Sequence, residues 1–241
     1  MAGIRQAHLR SQGECGVGMV KAVLCDIDGT LVDSNWLHAE AWQKAFAEMN
    51  IMLDRETVRR QIGKGGDELI PVFVPWWKRN AVEDPLKRYR EWIFREDFLS
   101  RVKALPKARE FAGELKRRGI RFALASSAKK KDIEDYKRIM QVEDMLDEAT
   151  SADDVDRAKP HPDVFSATLK RLGLEAKDCI ALGDTPYDAE AAGKAGVRTI
   201  GVETGGWTHA ELMEAGCVEV YASVAELLEK IEQSAIVREG F

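Results

Sequence analysis

The chain has 241 residues, 45% of them apolar and 32% charged, with a formal net charge of -5. That length can bury a proper core, and the balance is that of an ordinary globular chain rather than a disordered one. No apolar run approaches the ~20 residues of a membrane span, and the mild acidity leaves no basic footprint for nucleic acid. Residues 1–18 are polar and Gly-rich and lack the apolar stretch of a secretory signal. They are expected to be a disordered extension of a cytoplasmic protein. Cys15, Cys25, Cys179 and Cys217 form no Cys-x-x-Cys pair. Inert thiols in a reducing compartment are expected, not disulfides or a zinc site.

The first regular element is the apolar run Val20 to Cys25, which has the length and β-branched content of a buried strand. It ends in Asp26-Ile27-Asp28-Gly29-Thr30. Residues two apart on a continuing strand end project to the same side, so Asp26 and Asp28 are expected to point the same way. Two such carboxylates ionise together only with a cation between them, or one retains a proton. After Asp33-Ser34 the pattern turns helical: Leu37, Ala41 and Ala45 recur at four-residue spacing, as do Trp42 and Phe46. Helical segments separated by breakers continue to about Val102, so residues 35–102 are expected to be an inserted helical domain. Residues 19–34 and 103–241 are expected to form an α/β core. Strands are predicted at Ile120 to Ala125, Cys179 to Leu182 and Arg198 to Val202, alternating with helices that end at Gly119 and Gly173. Alternation of this kind makes a doubly wound parallel sheet.

In such a sheet, ligands bind beyond the carboxyl ends of the strands. Three strands end there in polar groups: Asp26 with Asp28, Ser126 with Ser127, and Asp184 with Asp188 in Gly183-Asp184-Thr185-Pro186-Tyr187-Asp188. Lys159, in Lys159-Pro160-His161-Pro162, precedes the third. Each alone is an ordinary turn or surface residue. The ordered set resembles the four motifs of the haloacid dehalogenase superfamily, most of whose members are phosphohydrolases, and it covers the chain from about Met19 onward. The helical insert is similar to the cap of the phosphoglycolate phosphatase and β-phosphoglucomutase branch.

The resemblance implies roles. Asp26 would be the nucleophile and a Mg²⁺ ligand, Asp28 a ligand through its backbone carbonyl, and Asp184 the other side-chain ligand. Asp188 would orient a water or Lys159. Lys159 would neutralise the transferring group, and Ser126, with nearby backbone N–H groups and Ser127, would hold the phosphoryl oxygens. Asp28, protonated, would act as acid and then base. Its presence disfavours the dehalogenase and phosphonate-cleaving branches. The implied activity is Mg²⁺-dependent hydrolysis of a small phosphorylated metabolite by a monomer or homodimer, through an aspartyl-phosphate. A sugar-phosphate mutase uses the same four motifs and stays open. A receiver-like phospho-acceptor is disfavoured by the helical insert, by Asp28, and by Asp184 lying downstream of the lysine.

The cap matches only in type. Lys64, in Gly63-Lys64-Gly65-Gly66, is expected on a loop facing the site, with a solvated turn lysine as the alternative. His38 is expected to pack between helices. Trp76-Trp77 is expected in the cap core or on a partner surface rather than in a substrate wall.

Overall fold

In the computed structural model, residues 20–238 are described, and the expectations for residues 1–18 lie outside them. The elements are β1 Ala22–Cys25, β2 Val32–Asp33, α1 Asn35–Glu48, α2 Arg55–Arg59, α3 Gly66–Phe73, α4 Trp76–Ile93, β3 Lys103–Ala104, α5 Ala108–Arg117 and β4 Arg121–Ala125. There follow α6 Lys130–Met140, β5 Leu146–Thr150, α7 Asp163–Leu172, β6 Cys179–Gly183, α8 Pro186–Lys194, β7 Arg198–Val202, α9 His209–Glu214, β8 Cys217–Tyr221 and α10 Val224–Glu229. Six strands form one sheet in the order β5-β4-β1-β6-β7-β8, and every pairing in it is parallel.

Alternation along the central strands sets the two layers. Val23 and Cys25 join Phe122, Leu124, Ile180 and Leu182 in the larger core, under α5, α6 and α10. Ala22 and Leu24 face the other way with Ala123, Ala125, Cys179 and Ala181, against α7 and α8. Small side chains on that face let the helices approach closely. Burying each larger aliphatic or aromatic side chain contributes about 1.5–3 kcal/mol.

β1 lies between β4 and β6, with Cys25 opposite both Leu124 and Leu182. The next residues in the three strands are therefore neighbours at the crevice where the winding reverses. The sequence predicts four strands; β5 and β8 are additional and lie at the two sheet edges. Their charged, partly exposed residues, such as Asp147, Glu148 and Glu219, hide the apolar signal. The short antiparallel pair β2–β3 ties together the two segments leading into and out of the helical insert.

Helices α1 to α4 close around their own apolar cluster, including Trp42, Phe46, Ile62, Leu69 and Leu86. Past α4 a π-helical turn, Phe94–Phe98, carries Phe94 and Phe98 into the main core instead. Trp76 and Trp77 are 75% and 65% exposed on the outside of this helical cap. Among the described residues, no helix is long and apolar enough to cross a membrane.

Candidate active site

Where β1 ends, the Asp26 backbone N–H donates to the Leu182 carbonyl (2.8 Å), which fixes the carboxylate at the centre of the crevice. Lys159, fully buried, donates from Nζ to Asp26 Oδ1 at 2.5 Å and lies 2.7 Å from Asp188 Oδ1. Burial alone would push the ammonium down, but Asp188 and Asp26 outweigh it and hold Lys159 charged above its usual range. Asp188 is clamped in turn: the Thr185 hydroxyl (2.6 Å) and N–H (3.1 Å) donate to its other oxygen as the capping box of α8.

Asp184 is held at both oxygens. The Thr30 hydroxyl donates to Oδ1 and the Asn35 amide to Oδ2, each at 2.8 Å. Gly29 lies between them with φ of +80°, and a Cβ there would collide with the Asn35 amide and the Asp184 carboxylate. A side chain is excluded on both conformational and steric grounds.

One oxygen from each of Asp26, Asp184 and Asp188 lies within 4.8 Å of the others, all three side chains buried. A single lysine faces this cluster of three carboxylates, leaving an excess of negative charge out of contact with water. Burial therefore pushes Asp26 up to about 7 in spite of Lys159, with Asp188 and Asp28 adding to the rise. Burial, Asp188 and Asp26 push Asp184 well up also. Hard oxygen donors in excess of their counter-charge suit a divalent cation such as Mg²⁺ or Mn²⁺. The residues present fit one.

Asp28 sits among hydrogen-bonding side chains. Burial opposes its ionisation, but His38 and the hydroxyls of Ser34 and Tyr136 overcome it and hold the carboxyl down at about 2. Ser34 donates at 2.6 Å, and His38 Nε2 lies 2.8 Å from Asp28 Oδ1. Arg90, from α4, donates to His38 Nδ1 at 2.5 Å. That assigns the tautomer, since a ring accepting at Nδ1 carries its proton on Nε2 and donates it to Asp28. Burial pushes the His38 pKa down as well, with Asp28 opposing and Arg90 assisting. His38 packs as expected, stacked on Phe94, and in addition links Arg90 to Asp28. The signal was present in the spacing, because Ser34 and His38 lie four apart and share one face at the start of α1.

At the end of β4 the Ser126 hydroxyl oxygen accepts from the Ala128 N–H (3.0 Å), leaving its own proton free to donate. Ser127 donates instead to the Gly63 carbonyl of the cap, at 3.3 Å. A cavity of about 400 Å³ lies between cap and sheet, lined by Asp26, Asp28 and Ser126 below and Trp42, Lys64, Arg90 and Glu91 above. Lys64 donates to Gln61 (2.8 Å) and sits over the Tyr187 ring. Lys129 and Lys131 both pair with Glu91 at the rim. His38, Arg90, Tyr136, Thr30, Asn35 and Thr185 are among the residues of this site that sequence reasoning did not assign.

The sequence profile of the haloacid dehalogenase-like hydrolases matches residues 23–202. Protein CbbY of Cereibacter sphaeroides is 30% identical over 87% of this chain and 94% of its own length. The phosphoglycolate phosphatase of Rhodospirillum rubrum is 29% identical over 87% and 90%. A hydrolase from Pseudomonas syringae superposes with a TM-score of 0.82 at 25% identity, covering 89% of this chain and 98% of that one. The chain belongs to the haloacid dehalogenase-like hydrolase family.

Proposed function

We propose that the chain is a Mg²⁺-dependent phosphatase of small phosphorylated metabolites, phosphoglycolate phosphatase-like, working through an aspartyl-phosphate on Asp26. The observation that carries this reading is the pairing of Asp26 with buried Lys159 directly beneath a cavity that also exposes Asp28 and Ser126. The relatives named as phosphatases support the class of reaction.

Asp26 attacks phosphorus through a carboxylate oxygen, and the ester oxygen leaves. Lys159 offsets the repulsion between two anions. The Ser126 O–H donates to a phosphoryl oxygen. A divalent cation held by Asp26, Asp184 and the Asp28 carbonyl would supply further positive charge there. A phosphoester brought beside Asp28 raises its pKa by like-charge repulsion, so that Asp28 takes a proton from solvent and passes it to the leaving alkoxide. Asp28 then accepts a proton from the water that attacks the aspartyl-phosphate, releasing phosphate and restoring Asp26.

The test is phosphate release from a panel of small phosphoesters, with and without Mg²⁺, by wild type and Asp26→Asn. Metal-dependent release lost in the variant is the expected result. Full activity in Asp26→Asn would refute the mechanism. Conversion of a hexose 1-phosphate to its 6-isomer without phosphate release would identify a mutase instead.

A further inference from the structure

Two cap residues reach past the cavity to the back of Asp184. Asn35, the first residue of α1, is buried, and its amide donates to Asp184 Oδ2 at 2.8 Å. Its own Oδ1 is buried without a protein donor, so the orientation of the amide is set by Asp184 alone. Arg59, the last residue of α2, is 4% exposed. Its Nε and Nη2 engage both oxygens of Glu56 (2.7 and 2.5 Å), and its Nη1 donates to the Gly205 carbonyl at 2.5 Å. Gly205 is the residue that presses on Asp184; a Cβ there would collide with the carboxylate. The same turn is tied to the nucleophile loop by the Thr204 hydroxyl, which donates to the Gly29 carbonyl at 2.5 Å.

Asp184 is therefore gripped directly by α1 and walled in by a core turn that α2 holds in place. We propose that Asn35 and Arg59 are positioning residues for the metal: seated on the core, the cap fixes Asp184 in its ligating orientation, so cation affinity depends on the cap even before substrate arrives. This rests on the proposed metal site at Asp26 and Asp184. Partners that orient a ligand in this way govern affinity by about 10- to 100-fold when removed. Nothing in this linkage requires contact with substrate, which separates it from the residues that line the cavity. It also gives the bidentate Glu56–Arg59 pair a purpose, since the pair aims a fixed guanidinium at one carbonyl.

The experiment is calorimetric titration of substrate-free protein with MgCl₂ for wild type, Asn35→Ala, Arg59→Met, Arg95→Gln and Asp184→Asn. Arg95 is the control, because it joins cap to core through Asp132 (2.5 Å) and Asp135 (2.8 Å), away from Asp184. The expected result is a dissociation constant raised about ten-fold in Asn35→Ala and in Arg59→Met, unchanged in Arg95→Gln, and no binding in Asp184→Asn. Unchanged affinity in Asn35→Ala and Arg59→Met, with binding lost in Asp184→Asn, overturns the proposal and leaves the metal site standing. An equal loss in Arg95→Gln also overturns it, since general loosening of the cap would then be the cause. Wild-type affinity in Asp184→Asn refutes the metal site itself. Should Asn35→Ala not fold, Asn35→Ser and Arg59→Met carry the test under the same criteria.

Discussion

On the sheet side of the cavity, Asp26, Lys159, Asp184 and Asp188 are almost wholly out of solvent and locked by short ion pairs and hydrogen bonds. On the cap side, Lys64, Lys87 and Glu91 remain partly exposed, and their partners are side chains of the cap or the rim. Charges on the floor are costly to bury and lose heavily when one partner goes; charges on the wall interact through solvent and can be exchanged at small cost. The floor is accordingly suited to one fixed reaction, whereas the wall can vary with the leaving group it must meet.

Lys159→Met breaks the floor and carries the largest expected effect. Asp26 and Asp188 lose their buried counter-charge, which destabilises the fold by about 3–5 kcal/mol. Loss of the charge facing the phosphoryl group lowers kcat by about 10²–10³-fold. Denaturant melts and turnover measure the two separately. Wild-type turnover would show that the buried pair is structural and that catalysis sits elsewhere.

Removing the metal sharpens the comparison on the floor alone. Asp26 and Asp184 have raised pKa values in the folded chain, so between the unfolded value near ~4 and the folded one the native state holds protons that the unfolded chain has released. Native stability therefore falls as pH rises through that window. A cation needs both carboxylates ionised and reverses the trend. With EDTA, Tm is expected to fall between about pH 5 and pH 8, while with Mg²⁺ it holds, so the gap widens by several degrees. A gap that does not change with pH would mean that the carboxylate cluster does not bind the metal.

Most of the floor is legible in the sequence: Asp26, Asp184 and Asp188 follow buried strands whose apolar runs can be read locally, and Lys159 is marked by its own Lys159-Pro160-His161-Pro162 stretch. Strands β5 and β8 are not legible, since edge strands bearing Asp147, Glu148 and Glu219 have no continuous apolar signal. The link from Arg90 to His38 spans 52 positions and exists only once α4 folds back on α1. The surroundings of Asp28 depend on that link, so an acid could be proposed from motif spacing but not the His38 contact that orients it. Ser127 illustrates the same limit: its position suggests a hydroxyl free for a phosphoryl oxygen, yet that hydroxyl donates to a cap carbonyl.

Lys64→Ala tests the wall and carries the smallest effect. The side chain lines the cavity and is only partly buried; burial pushes its pKa down, and it already has Gln61 as an acceptor. Contact with an anionic or hydroxylated leaving group would add a charge-assisted bond, reduced by the solvent that still reaches it. KM is therefore expected to rise about three- to ten-fold with kcat within about two-fold. A fall in kcat at unchanged KM would move Lys64 from the wall to the floor, making it a participant in the transition state. Unchanged kinetics would leave it a surface lysine of a glycine turn, and specificity would then rest on Trp42, Arg90 and Glu91.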